Sequence, residues 1–284
     1  MLDKNINNPK SIKYYVNQYL QSIKTELKNK VIVDAPAGTG ATAEILHNLG
    51  ANVKPFDLFP EYFMLDGVQC HRANIAQHIP LDDKFADMLI CQEGIEHFSD
   101  PLTAFKEFNR ILKPKGQLLL TTPSYSNLAS KFSYLLFESE SSKHMPPNEI
   151  DDIWMSDKAI GNEIYHGHIF LLGLQKLRVI AKLAGFKIHD IKYVRLSKGS
   201  LILLPFFYPF IFLSSLRVYY RHICKDKGLS QAQKRAVYQE QLFININPKN
   251  LINKHIFVMF AKENDVSALN FRNEKVVKQF TDKT

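Results

Sequence analysis

Cysteine is scarce in this chain: Cys70, Cys91 and Cys224 are the three in 284 residues, and no two stand in a Cys-x-x-Cys spacing. So sparse and odd a set argues against a disulfide framework and against a zinc site, and it fits a reducing compartment. The N-terminus, MLDKNINNPKSIKYY, lacks the apolar core of a secretory signal, so the expectation is a cytoplasmic protein. Acidic residues are fewer than basic ones, 28 against 36, for a net charge of +8. That surplus leaves three readings open: nucleic acid, an anionic membrane surface, or simply a basic soluble surface. Hydrophobic residues make up 45% and charged residues 23%, the balance of an ordinary folded chain with a sizeable core.

What is present has a clear rhythm. Ile12, Tyr15, Val16, Tyr19, Leu20 and Ile23 share one helical face within residues 9–28, which marks 1–29 as an N-terminal helical segment. KVIVDA then reads as a buried strand, and GATAEILHNLG as a helix ending near Gly50. ANVKPFD, GVQCHRANI and Ala86–Cys91 read as the next three strands. DPLTAFKEFNRILKPKG is a helix capped by Asp100, with Pro101 at its first position, that stops at Lys-Pro-Lys-Gly. QLLLTTPS is a fifth strand, LGLQKLRVIAKLAGF an amphipathic helix, KIHDIKYVRL a further strand and KHIFVMFAKE the last. Alternating strands and helices imply an α/β fold: a Rossmann-like doubly wound sheet, mostly parallel. Residues 124–165 and 199–250 read as insertions, the first a lid and the second apolar and basic, in a domain over 30–264. Residues 265–284 read as a loose polar tail.

The stretch VIVDAPAGTGATAEIL, residues 31–46, poses the functional question. In an open parallel sheet, ligands sit beyond the carboxyl ends of the strands, where strand order reverses. Asp34, Asp57, Asn74 and Glu93 all fall at such ends. A glycine turn at Gly38 and Gly40 lets backbone approach a ligand closely. Asp57, at the end of the second strand, suits the paired hydroxyls of a ribose. The turn reads Gly-Thr-Gly-Ala-Thr-Ala over 38–43, so the glycines alone leave both a dinucleotide and another adenosine-containing ligand open.

Five motifs in order settle the resemblance: VIVDAPAGTG, VKPFD, RANIAQHIPLDDKFADMLICQEGIEHFSDP, FNRILKPKGQLLLTTPS and HGHIFLLGLQKLRVIAKLAGFKI. Together they resemble the class I S-adenosylmethionine-dependent methyltransferases, of the group that includes the ubiquinone-biosynthesis enzymes. The resemblance implies class I methyltransferase architecture with an antiparallel last strand. It implies S-adenosyl-L-methionine as cosubstrate and no metal. By that resemblance Asp34, with Ala35 beside it, serves the methionine end near Gly38 and Gly40. Asp57 holds the ribose, and Leu58 packs on the adenine. Asn74 and Ile75 line the adenine, and Gln92 and Glu93 stand beside the sulfonium. One departure is Pro36, where the family usually has glycine. It keeps a non-catalytic binding or scaffold protein in play as a rival, with a nicotinamide oxidoreductase as a second.

Methyl transfer to an alcohol needs a general base, and histidine suits neutral pH. His97 in EGIEHF and His166 and His168 in YHGHI are the candidates, set against a positioning role for each. Nucleic acid is not expected as a partner. QEGIEH stands where base methylases of this class often carry an Asn/Asp-Pro-Pro-aromatic turn, and no dense basic stripe with interleaved aromatics is present.

LILLPFFYPFIFLSSL, residues 201–216, is uncharged over 16 residues, short of the roughly 20 of a spanning helix. Pro205 and Pro209 are expected to interrupt it. Arg217, Arg221, His222, Lys225 and Lys227 follow. Two readings stay open: a segment, 201–227, lying on the inner face of the cytoplasmic membrane, or a cover or dimer contact on the domain. The expectation is therefore an O-methyltransferase acting on a small-molecule, sugar or lipid-linked acceptor, peripheral on that membrane.

Overall fold

The computed structural model describes residues 3–157, 163–225 and 230–268. The chain opens with α1 (Ile12–Ser22), capped by the Ser11 hydroxyl, which accepts the Lys13 N–H. The expected single helix over 9–28 breaks at Ile23, and a short α2 (Lys24–Leu27) follows. Then come β1 (Val31–Asp34), α3 (Ala41–Asn48), β2 (Asn52–Asp57), β3 (His71–Arg72), β4 (Ala86–Gln92), α4 (Pro101–Ile111) and β5 (Leu112–Pro123). The second half holds α5 (Leu128–Phe137), the hairpin β6 (Ile153–Asp157) and β7 (Glu163–His166), α6 (Leu174–Leu183), β8 (Phe186–Ile191), α7 (Lys198–Ile223), α8 (Gln231–Ile246), α9 (Pro248–Ile252) and β9 (His255–Lys262).

The main sheet has seven strands in the order β3-β2-β1-β4-β5-β9-β8. β1 to β5 are parallel, and β9 lies antiparallel between β5 and β8. The antiparallel last strand expected from the sequence is therefore wedged inside the sheet. The period-2 pleat splits the apolar side chains between two cores. Val33, Leu89, Leu118, Leu120, Val258 and Phe260 point to one face, where Phe105, Phe108 and Phe186 fill the layer. Ile32, Met88, Ile90, Leu119, Phe257 and Met259 point to the other, against Val16, Leu20 and Leu46. Both faces are covered, as the near-continuous apolar runs require.

Three further expectations need correction. GVQCHRANI yields only the two-residue β3, exposed at the sheet edge and paired to β2 over Phe56–His71 and Asp57–Arg72. The helix expected to run to Lys-Pro-Lys-Gly ends at Ile111. The buried Lys262 ammonium donates to the carbonyls of Asn109 at 2.7 Å and Leu112 at 2.9 Å, satisfying the helix end there. Finally, Pro205 and Pro209 do not interrupt the apolar segment, which forms one 26-residue helix, α7. Leu201, Pro205 and Pro209 share its exposed face, so the carbonyls freed by the missing N–H groups look outward.

The 124–165 insertion holds α5 and most of the β6–β7 hairpin, so it is more regular than its sequence suggests. The 199–250 insertion is α7 folded back on α8. Ser215 accepts from Asn245 at 2.7 Å, and the Lys234 ammonium closes the C-terminus of α7 by donating to Ile223 O and Lys225 O. Lys227 and most of the expected polar tail lie outside the described residues.

Candidate active site

The strand order reverses between β1 and β4, and a cavity of about 780 Å³ opens beyond their carboxyl ends. Its size suits a nucleoside-sized ligand. The turn after β1 is pinned on both sides: Ala35 N–H donates to Ile90 O at 3.0 Å, and Ala37 N–H to Phe56 O at 2.9 Å. Gly40 caps α3 in the left-handed region at φ 91°, and a Cβ there would stand 2.8 Å from the Phe63 ring. Both conformation and space require glycine. Pro36 lines the cavity and packs on Gly94, where a Cβ would lie 2.4 Å from its Cδ.

Asp57 organises the turn. One carboxylate oxygen accepts from Gly38 N–H at 2.8 Å, the other from Phe59 N–H at 2.9 Å. Each oxygen keeps a lone pair for a hydroxyl donor. Asp34 behaves differently. It is buried at 1% exposure, and among the described residues neither carboxylate oxygen has a hydrogen-bond partner. Burial first, and the Asp57 charge second, push its pKa up to about 8; the Ala43 N–H pulls the other way without closing a hydrogen bond. A bare buried carboxylate is costly unless a cation or donor meets it.

Glu93 follows β4 with φ 50°, an uncommon backbone for a residue with a side chain. Its N–H is shared between Thr121 O at 3.0 Å and Thr121 Oγ1 at 3.2 Å. One carboxylate oxygen lies 3.3 Å from His255 Nε2, and the other is buried without a partner among the described residues. Beside it, Gln92 Oε1 accepts from Thr42 Oγ1 at 2.9 Å. Asn74 Oδ1 accepts the Ala76 N–H at 3.1 Å, shaping the loop after β3.

The β6–β7 hairpin meets this floor at His97. Its Nδ1–H donates to His166 O at 2.7 Å and approaches Gly167 O at 3.3 Å. A carbonyl can only accept, so the proton sits on Nδ1 and Nε2 keeps its lone pair. Trp154, Tyr165 and His168 pack their rings around the imidazole, 4.7–5.5 Å away by centroid. Burial pulls its pKa down to about 4, so the ring is neutral. Glu96, buried beside it, accepts from Thr122 Oγ1 at 3.0 Å, and burial and Glu93 hold its pKa well above the usual carboxylate range. His168 pairs with Glu140 at 3.3 Å, and that pairing first of all pulls the Glu140 carboxyl down to about 2. Glu96, His97 and His168 bring ligand atoms within 4.8 Å of one another, close enough to hold a cation.

Gly38, Asp57, Leu58, Asn74, Ile75, Gln92, Glu93, His97 and His166 all line the cavity; Asp34, Ala35, Gly40 and His168 do not. Sequence reasoning missed Lys13, contributed by α1, along with Tyr62, Tyr165 and the Phe98–Asp100 turn. The last was within reach, since it directly follows EGIEH. Lys13 gave no signal, lying as it does on the polar side of an ordinary amphipathic helix.

The residues fit S-adenosylmethionine. Unpartnered buried carboxylate oxygens at Asp34 and Glu93 answer a cationic amino group and a sulfonium, and Asp57 presents an acceptor pair to a ribose. Residues 33–120 match the model of the family described as a methyltransferase domain. The chain is 30% identical over 110 residues to a ubiquinone biosynthesis O-methyltransferase of Xanthomonas euvesicatoria, covering 36% of this chain and 46% of the relative. It is 32% identical over 114 residues to a demethylmenaquinone methyltransferase of Chlorobaculum tepidum, covering 37% and 46%. The chain thus spans about half the length of the curated relatives it matches. A SAM-dependent methyltransferase from Archaeoglobus fulgidus superposes with TM-score 0.51 at 14% identity, over 90% of this chain and 97% of that one. Motif order, strand order and these likenesses agree: residues 33–120 match the methyltransferase-domain family, and they lie on a sheet ordered like that of a solved S-adenosylmethionine-dependent methyltransferase.

Proposed function

We propose that the chain transfers a methyl group from S-adenosylmethionine to an oxygen of a small-molecule or lipid-linked acceptor at the cytoplasmic face of a membrane. The observation that carries the reading is the bare, buried Asp34 carboxylate beside Asp57 at the tips of β1 and β2. When bound, S-adenosylmethionine supplies a methyl group already activated by a positive sulfur. Asp57 holds the ribose hydroxyls and at the same time fixes the glycine turn. Asp34 gives up its proton to meet the cationic amino group at the methionine end, and Glu93 stands by the region of the sulfonium. The β6–β7 lid excludes water, which strengthens these interactions and guards the methyl group from hydrolysis.

On this reading His166, which lines the cavity, takes the proton of the acceptor hydroxyl and leaves the acceptor oxygen as nucleophile. His97 is a positioning residue: its Nδ1–H holds the His166 carbonyl, and its low pKa makes it a poor base. His168 is spent on Glu140. The named relatives act in ubiquinone biosynthesis and on demethylmenaquinone, which favours a phenolic, prenylated acceptor here.

Calorimetric titration with S-adenosylhomocysteine, with NAD as competitor, tests the binding reading. Transfer of labelled methyl to phenolic and prenylated acceptors tests the chemistry. Binding of S-adenosylhomocysteine without NAD competition, followed by label on an acceptor oxygen, is the expected result. Binding with no turnover on any acceptor would support a scaffold role, for which Pro36 in the cofactor turn is the motive. Displacement by NAD would overturn the assignment.

A further inference from the structure

We infer that α5 and α7 together form a docking face for an anionic lipid bilayer, and that this face lies on the edge of the sheet from which the cavity opens. The inference rests on the membrane-facing reading above and gives it a surface, an orientation and a lipid charge. Among the described residues α7 is the helix long and apolar enough to cross a membrane, yet its apolar window is not buried. The outward stripe is Ile202, Phe206, Phe210 and Leu213, exposed at 68%, 69%, 73% and 65%. The spacing is that of one helical face. The same face then carries Arg217, Tyr220 and Arg221, and α7 has no acidic residue. Apolar anchors that give way to arginines and an aromatic belt residue match the passage from acyl chains to anionic headgroups.

The patch continues beyond α7. Phe132 of α5 meets Phe207 with ring centroids 6.2 Å apart, and α5 adds Leu135 and Leu136, exposed at 78% and 56%. Topology fixes where this surface sits. β8 is antiparallel to β9, which is antiparallel to β5, so β8 runs with β1–β5. α7 follows β8 and α5 follows β5, so both leave the sheet from its carboxyl edge, where Asp57 and Glu93 line the cavity. An amphiphile held by the bilayer would therefore meet the protein on its catalytic side.

The face lies on the membrane and does not span it. Gly199 to Leu216 is uncharged, about 27 Å of helix at ~1.5 Å per residue. Both ends of α7 are tied to the domain, however. The Ser200 hydroxyl donates to Asn127 Oδ1 at 3.0 Å, and α7 returns through α8, whose Arg178–Glu240 pair at 2.8 Å fastens it to α6. Crossing would drag Lys234, Arg235 and Glu240 of α8 through hydrocarbon, which is prohibitive for a polar helix.

Flotation of the full-length protein with phosphatidylcholine vesicles, with and without phosphatidylglycerol, tests the inference. Wild type is expected to float with the anionic vesicles, less so in high salt, and to be released from them by alkaline carbonate. The double variant Phe206→Asp with Phe210→Asp, at exposed positions, should bind more than about tenfold more weakly. Arg217→Glu with Arg221→Glu should erase the preference for anionic vesicles. Unchanged far-ultraviolet dichroism and S-adenosylhomocysteine affinity would show that fold and cavity survive, so a failure here is separable from a failure of the methyl-transfer reading. Wild type that floats with neither vesicle overturns the inference. So does an aspartate variant that turns a dimer into a monomer in light scattering, since the face would then belong to a second copy. Resistance to carbonate would overturn the non-spanning geometry.

Discussion

Asp34→Asn exchanges an ionisable group for a neutral one of the same shape at the buried tip of β1. In the folded protein the carboxyl titrates near 8, against an ordinary value of 3.8, chiefly because it is buried. Between these two values the folded state holds a proton that the unfolded state has released. Stability therefore falls as pH rises through that window, by at most about 1.4 kcal/mol per pH unit. From pH 5 to pH 7 the wild-type protein should lose up to about 3 kcal/mol relative to the asparagine variant. At roughly 2 °C per kcal/mol for a chain of this size, the two melting temperatures should separate by about 6 °C. The variant should be the more stable protein at neutral pH when unliganded, and should bind S-adenosylhomocysteine more weakly, because asparagine has no proton to give up to meet the cationic amino group of the ligand. Differential scanning fluorimetry across pH, paired with calorimetry, reads both effects. Parallel pH profiles would refute the buried ionisation, and undiminished affinity would remove Asp34 from the site.

Asp57→Ala removes the acceptor of both the Gly38 and Phe59 N–H groups as well as the ribose partner; affinity for S-adenosylhomocysteine should drop at least about tenfold by calorimetry. Gly40→Ala forces a side chain into φ 91° and against Phe63, and should lower stability by about 1–2 kcal/mol in urea unfolding. His97→Ala frees the lid carbonyl of His166, whereas His97→Asn keeps a side-chain N–H near the Nδ1 position. Turnover should fall for alanine and recover in part for asparagine; equal loss in both, with rescue by added imidazole, would make His97 the base instead.

The strand tips were legible because local signals agree there. An apolar run ending in a carboxylate, a glycine turn and a capped helix each point to the same edge of the sheet. What escaped were features decided by distant parts of the chain. The end of α4 is set by Lys262, roughly 150 residues on, whose ammonium takes carbonyls that a longer helix would have used. β3 shrinks to His71–Arg72 because it has a single neighbour, β2, and both of its residues are exposed. Pro205 and Pro209 read as breakers, but a helix tolerates them where the freed carbonyls reach its open side. The bond from His97 to the His166 carbonyl joins residues 69 apart and has no counterpart in local pattern. Lys13 reaches the cavity only because α1 packs with α3 on one face of the sheet, a placement no helical periodicity reveals.

The position of β9 has a bearing on how the chain is made. Residues 255–262 slot between β5 and β8, so two finished strands must wait, with hydrogen-bonding edges unfilled, while the oily α7–α8 arm emerges from the ribosome ahead of their shared neighbour. During that interval the nascent protein displays open edges and greasy surface together, the combination most prone to sticking. An arm that meets a bilayer early would be sheltered there, and translation arrested before residue 255 should leave a species that chaperones or lipid must hold until the final strand zips the sheet shut.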